Sequence, residues 1–266
     1  MIREKGELER KSEARSKKCE VRKTMLEHHK MDSLNKKTRS LFVAIIVLFL
    51  SMPIGIHAQT GGSQNIFSVP EPPNLGILQD SVRSYIKSGA YERGIAEVID
   101  SARAYIGSHY EAVKKPAIVL DIDETALSNV RFEYRYSFGF ESALWNAWVK
   151  EAAATAIKPT LELAKWAAET HIPIFFITGR QQLSARLVDD PTVRNLKKVG
   201  YPDWAGLYFK DPKKKMTTIE FKTSVRKEIA EKGYTIIANI GDQYSDLVGG
   251  YAERCFKLPD PMYYIP

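Results

Sequence analysis

The chain has 266 residues, 44% of them hydrophobic and 27% charged, which suits one substantial globular domain with helical additions. Its formal net charge is +7, but residues 1–58 hold 13 Lys+Arg against 7 Asp+Glu, whereas residues 59–266 hold 26 against 25. The basic excess therefore sits at the start of the chain, and the near-neutral remainder argues against a nucleic-acid polymer as partner.

Residues 1–58 read as a basic leader ending in a secretory signal. Lys36, Lys37 and Arg39 precede an apolar run from Leu41 to Leu50 that continues less purely to Ala58. Ile56-His57-Ala58 offers a cleavage site before Gln59, so the sequence predicts an exported protein, periplasmic or secreted. The alternative is an uncleaved membrane anchor near 41–56. The clean run is short of the roughly 20 residues that a bilayer crossing needs, and a membrane is expected as partner only through this leader. The stretch before the run is longer than an ordinary signal allows, and a start at Met31 would restore the usual size. Of the two cysteines, Cys19 and Cys255, cleavage would leave one, and hence no internal disulfide.

Residues 59–76 are rich in Gly, Ser, Pro and Asn and read as a flexible linker; residues 77–266 read as the folded domain. Within it, Leu78–Ser88 and Tyr91–Val113 have helical spacing, with Val98, Ala102, Tyr105 and Ile106 on one face. Ala117–Leu120 is a short apolar strand. Ala143–Val149 and Thr160–Thr170 read as helices, and Pro173–Ile177 as a second apolar strand. The spacing then predicts a helix over Gln182–Lys198, interrupted at Pro191, and a short strand at Leu207–Phe209. A helix over Thr218–Lys232 ends at Gly233, followed by strands at Tyr234–Ile240 and Cys255–Leu258. Apolar runs without alternation are strands buried on both faces, and their alternation with helices predicts a mainly parallel sheet in a three-layer α/β/α, Rossmann-like arrangement. Ligands of such sheets bind beyond the carboxyl ends of the strands.

Four motifs follow strands or prepare them. Asp121-Ile122-Asp123 sets two carboxylates near one point directly after the first strand. That is costly without a cation, and Mg2+ prefers such oxygen ligands; alone, the pair also fits a surface loop. Thr178-Gly179-Arg180 follows the second strand, where a hydroxyl and backbone N–H groups suit phosphate oxygens or a plain helix cap. Lys222 lies on the helix before the Tyr234–Ile240 strand, either as a charge that holds a carboxylate and a phosphoryl group or as an exposed helix lysine. Asp242 ends that strand and Asp246 lies one helical turn further, either completing a metal shell or decorating a helix N-terminus. The Lys213–Lys215 run reads as a solvated loop.

Taken in order, IVLDIDETALSN, FFITGR, FKTSVRKEIAEKGYTIIANIGDQYSDL and FKLPDPMYYIP resemble the haloacid dehalogenase (HAD) superfamily, specifically its subfamily IIIB acid phosphatases, which include the bacterial class B-like and class C enzymes and plant vegetative storage proteins. The resemblance runs from about Ile86 to the end of the chain. It implies Asp121 as the nucleophile that forms an aspartyl-phosphate, and Asp123 as the general acid and base. It implies Asp121, the backbone carbonyl of Asp123 and Asp242 as Mg2+ ligands, with Asp246 in the outer shell. Thr178 and Gly179 would bind phosphate, and Lys222 would offset charge on the phosphoryl group and Asp121. The expected substrates are small phosphomonoesters, nucleoside 5′-monophosphates among them, hydrolysed at acidic pH. Every expected position is filled, which disfavours an inactive storage protein; the signal and the second acid Asp123 disfavour a phospho-receiver domain. The motif spacing leaves room for a small helical insert between the first two motif strands but for no large cap domain. Phe132, Tyr134, Tyr136, Phe138, Phe140, Trp145 and Trp148 fall in that insert and either pack together or stack on a base. A homo-oligomer is left open.

Overall fold

The structure is a computed structural model and describes residues 70–266. The leader, its apolar run and the linker up to residue 69 lie outside the described residues. Among the described residues, no helix is long and apolar enough to cross a membrane.

Two helices come first, α1 (Leu75–Lys87) and α2 (Ala90–His109). The Asn74 side chain accepts from the Gly76 N–H, so α1 begins inside the segment read as linker. Strand β1 (Pro116–Leu120) follows. The insert holds β2 (Leu127–Ser128), α3 (Val130–Arg135), α4 (Ser142–Glu151) and β3 (Thr155–Ala156). Helix α5 (Lys158–Glu169) leads to β4 (Ile174–Thr178), α6 (Pro191–Lys198) to β5 (Gly206–Phe209), and α7 (Thr218–Glu231) to β6 (Thr235–Gly241). A single-turn helix, α8 (Tyr244–Leu247), precedes β7 (Cys255–Lys257).

The main sheet has the order β5-β4-β1-β6-β7, and every pairing in it is parallel. β1 is therefore central, flanked by β4 and β6, and the segments after these strands all emerge at one edge. Strand alternation sorts the core onto two faces. Ala117, Val119, Phe175 and Ile177 pack with Val225 and Ile229 of α7 on one face. Ile118, Leu120, Ile174 and Phe176 join α2 and α5 residues such as Ile106 and Leu163 on the other. This is the three-layer α/β/α architecture. The three central strands are each entered through a left-handed residue: Lys115 (φ 50°) before β1, His171 (φ 57°) before β4 and Gly233 (φ 85°) before β6.

Two local expectations are corrected. Pro191 does not interrupt a helix; it begins one. The Asp190 side chain accepts from the Thr192 N–H, and a proline is favoured at a first helical position because no intrahelical partner awaits its missing N–H. Residues 182–186 are irregular, with a 3₁₀ turn at Leu187–Asp189. The insert also contains the antiparallel β2–β3 pair and the helix α3, too short to leave a periodic signature in sequence.

Candidate active site

The exits of β1, β4, β5 and β6 meet at one cavity of about 970 Å³. Asp121, Asp123, Gly179, Lys222, Asp242 and Asp246 all line it. Thr178 does not. It is fully buried, and its hydroxyl accepts the Arg180 N–H at 3.1 Å, shaping the turn that presents Gly179.

Asp121 is anchored by its backbone N–H, which donates to the Ile240 carbonyl at 3.0 Å. Its carboxylate accepts from Lys222 Nζ, which also donates to Asp246 Oδ1 at 2.6 Å. Lys222 reaches this point because α7 is fixed at its N-terminus by a capping box between Thr217 and Glu220 and packs on the sheet through Val225 and Ile229. Burial opposes the Lys222 ammonium, but Asp121 and Asp246 outweigh it and hold Lys222 above the usual lysine range. The lysine therefore stays charged, which overturns its reading as an exposed helix residue.

Asp242 is held from three sides. Thr125 Oγ1 donates to its Oδ1 at 3.1 Å, and Gln243 Nε2 and Tyr263 Oη donate to its Oδ2 at 2.8 and 3.3 Å. Asp246 Oδ2 accepts from the Gln243 N–H at 2.8 Å. Asp121, Asp242 and Asp246 each offer a carboxylate oxygen within 4.8 Å of one another, all buried. Burial pushes the Asp121 carboxyl up to about 7, with Lys222 opposing and Asp246 and Asp123 adding to the rise. Burial also pushes Asp242 well above the ordinary carboxylate range, with Asp246 and Asp121 next in importance. One ammonium does not balance three buried acids. Hard, like-charged oxygens converging at a strand edge suit a divalent cation.

Asp123 is oriented separately. Arg180 Nη2 donates to its Oδ1 at 2.6 Å and Nε reaches both oxygens at 3.0 and 3.1 Å, while Asn129 Nδ2 donates to Oδ1 at 2.8 Å. Asn129 also serves Glu124, a fully buried acid at φ 49° that accepts from the Asn129 N–H at 2.6 Å and Nδ2 at 2.9 Å. The Asn129 carbonyl oxygen accepts from Trp148 Nε1 at 2.8 Å. Trp145 lies against the Arg180 guanidinium, 5.5 Å from ring centroid to Cζ.

Most aromatics of the insert pack on one another. Phe132 contacts Tyr136, Trp145 and Trp148, and Tyr134 contacts Phe138. Phe138, Phe140 and Trp145 nevertheless reach the cavity wall.

Several residues fall inside the quoted stretches, but their roles have no signature in sequence. Arg180 and Asn129 hold Asp123, Tyr263 holds Asp242, and Glu124 accepts from both Asn129 and Tyr263. Arg226 is the exception: it lies four residues after Lys222, on the same helix face. It is buried, and its guanidinium donates to the carbonyls of Asp246 (2.6 Å), Val248 and Gly250 (2.9 Å), fixing the segment that carries Asp246.

The family model of the HAD superfamily, subfamily IIIB (acid phosphatase), matches residues 60–266. The chain is 33% identical over 210 residues to the stem 28 kDa glycoprotein of Glycine max, covering 76% of this chain and 80% of that one. It is 33% identical over 194 residues to acid phosphatase 1 of Solanum lycopersicum, covering 70% of this chain and 74% of that one. Its fold matches the class C acid phosphatase from Bacillus anthracis with a TM-score of 0.57, over 70% of this chain and 86% of that one; the identity of 23% makes this a likeness of fold. A parallel α/β domain of this kinship, with acids gathered at its strand exits, is a phosphoric monoester hydrolase. The chain belongs to the HAD superfamily, subfamily IIIB, the acid phosphatases.

Proposed function

We propose that this acid phosphatase works through an aspartyl-phosphate on Asp121, depends on Mg2+, and acts on small phosphomonoesters, nucleoside 5′-monophosphates among them, after export. The observation that carries this reading is the sharing of Lys222 between Asp121 and Asp246, at the cavity that Asp242 and Asp123 also line.

In the first step an Asp121 oxygen attacks phosphorus and the bond to the leaving oxygen breaks. Asp123 gives that oxygen its proton. In the second step the Asp123 carboxylate takes a proton from water as the water oxygen attacks phosphorus, and the bond to Asp121 breaks to release phosphate. Lys222 offsets the repulsion between carboxylate and phosphate, and Gly179, presented by the turn that the buried Thr178 hydroxyl shapes, receives phosphoryl oxygens. Arg180 and Asn129 crowd Asp123 Oδ1, whereas Oδ2 accepts only from Arg180 Nε at 3.1 Å, so Oδ2 is the oxygen with room for the proton. Mg2+ held by Asp121, the Asp123 backbone carbonyl and Asp242, with Asp246 behind, would supply charge neutralisation at the phosphoryl group.

Phe138, Phe140 and Trp145 at the cavity wall support a leaving alcohol that carries an aromatic ring, as the nucleobase of a nucleoside does. The basic residues and apolar run of the leader support export. The decisive experiment is phosphate release from p-nitrophenyl phosphate at acidic to neutral pH, with Mg2+ and with EDTA, by wild type and Asp121→Asn. Activity that needs Mg2+ and is lost in Asp121→Asn is expected. Full activity in EDTA overturns the metal dependence, and full activity in Asp121→Asn overturns the nucleophile.

A further inference from the structure

The cavity extends well past the acids. Its far wall is the loop from β5 to α7, which contributes Lys210, Lys214 and Lys215. These are the lining cations left over from internal pairing. Arg180 is committed to Asp123, and Lys222 to Asp121 and Asp246. Lys210, Lys214 and Lys215 have no carboxylate within 4.0 Å among the described residues; Lys210 Nζ donates to Thr218 Oγ1 at 3.1 Å. Asp211, the acid nearest in sequence, turns its carboxylate to the Lys213 N–H at 2.9 Å, and Glu220 turns its own to the N–H and hydroxyl of Thr217.

The topology sets how far these lysines stand from the reacting centre. β5 is two strands from β1 in the sheet, and strands repeat at about 4.8 Å, so the exits of β1 and β5 are roughly 10 Å apart. One phosphate seated at Asp121 and Gly179 does not fill both ends of a cavity of about 970 Å³. Lys210 is still near enough to sense the site: partial burial, and after it the Lys222 charge, lowers its ammonium below the usual lysine range.

We infer that Lys210, Lys214 and Lys215 form a second anion subsite, so that the preferred substrates are small bisphosphorylated molecules: one phosphate is transferred at Asp121 and the other is held at the β5–α7 loop. This rests on the phosphatase reading and names the substrate class for it. Three ammonium groups on one wall suit a phosphate dianion, which accepts several charge-assisted hydrogen bonds at once. The rival is diffuse attraction, in which the lysines draw in any phosphate ester without holding a second group.

The test compares glucose 6-phosphate with glucose 1,6-bisphosphate in wild type and in Lys214→Gln/Lys215→Gln, with Mg2+ present. Wild type is expected to show a kcat/KM about 10-fold higher for the bisphosphate, and the variant is expected to lose most of that ratio. Equal losses on both substrates would mean diffuse attraction and overturn the subsite. An unchanged ratio, or no preference in wild type, overturns it too. If wild type turns over neither sugar nor p-nitrophenyl phosphate, the phosphatase reading is what fails. The subsite is then judged by calorimetry of the same two ligands: tighter binding of the bisphosphate, lost in the variant, supports it, and equal binding overturns it.

Discussion

Trp148 Nε1 donates to Asn129 Oδ1 at 2.8 Å, and the same amide's Nδ2 donates to Asp123 at 2.8 Å and to Glu124 at 2.9 Å. A tryptophan of the insert thereby fixes which way the Asn129 amide points, and so which group faces Asp123. Trp148→Phe keeps the ring contact with Phe132 but leaves the Asn129 carbonyl oxygen without its donor. A buried polar group left unpaired costs about 1–3 kcal/mol. We expect thermal stability to fall by that order, and kcat to fall about 10-fold with KM little changed, because Asp123 loses its alignment rather than its chemistry. An unchanged kcat would show that Asn129 holds its orientation without the indole.

The proposed metal site should couple to pH. Burial holds the Asp121 carboxyl at about 7, above the 3.8 of an exposed aspartate. Without metal, this group binds its proton more tightly folded than unfolded. Its contribution to stability is therefore full below about pH 3.8 and falls as pH rises towards 7. Mg2+ needs the ionised ligand, so it should restore what is lost. Thermal unfolding at pH 5 and pH 8, with and without saturating Mg2+, should show a clearly larger rise in Tm at pH 8. An equal rise at both values would place the cation away from Asp121.

Glu133 lies in the cavity wall, nearly inaccessible, and burial pushes its carboxyl up to about 7, with Asp260 and Asp123 adding to the rise. The same sign applies: the folded state favours the protonated form, so ionisation destabilises as pH climbs from 4.5 to 7. Glu133→Gln removes that penalty. It should leave stability unchanged at pH 4 and raise it by about 1–2 kcal/mol at pH 8. Denaturant titrations at the two pH values would read the difference directly.

Gly241 ends β6 against Asp246. A Cβ built at this glycine lies 2.5 Å from both Cβ and Oδ2 of Asp246, closer than side chains approach. Gly241→Ala should push Asp246 away from Lys222 and the Gln243 N–H. We expect a loss of about 1–3 kcal/mol by overpacking, together with a fall in kcat/KM of at least about 10-fold. Calorimetric unfolding and steady-state kinetics measure the two effects separately.

The sequence carried the fold because its strands are apolar runs buried on both faces. Ile174–Thr178 is buried throughout, and the acids stand directly beyond such runs, where a parallel sheet puts its ligands. Asp121, Asp123, Gly179, Lys222, Asp242 and Asp246 come together for that reason. Lys222 was ambiguous because one turn of helix says nothing about what lies opposite it; the α7 packing on Ala117 and Val119 decides that. Arg180, Asn129 and Tyr263 were not legible as site residues because each acts through a partner set by tertiary contact: Arg180 lies 57 residues from Asp123, and Tyr263 lies 139 from Glu124. Pro191 was misread because proline both ends and begins helices, and only the Asp190 cap tells which.

The left-handed entrances to β1, β4 and β6 have a practical corollary. All the chemistry lies at the strand exits, so Gly233, at the entrance of β6, is separated from Asp242 by the full seven residues of that strand, roughly 20 Å at the usual rise. A fluorescent reporter or a surface tether attached beside Gly233 would therefore face away from the mouth of the cavity, leaving the working edge of the sheet open to the bulk while the opposite edge serves as the handle.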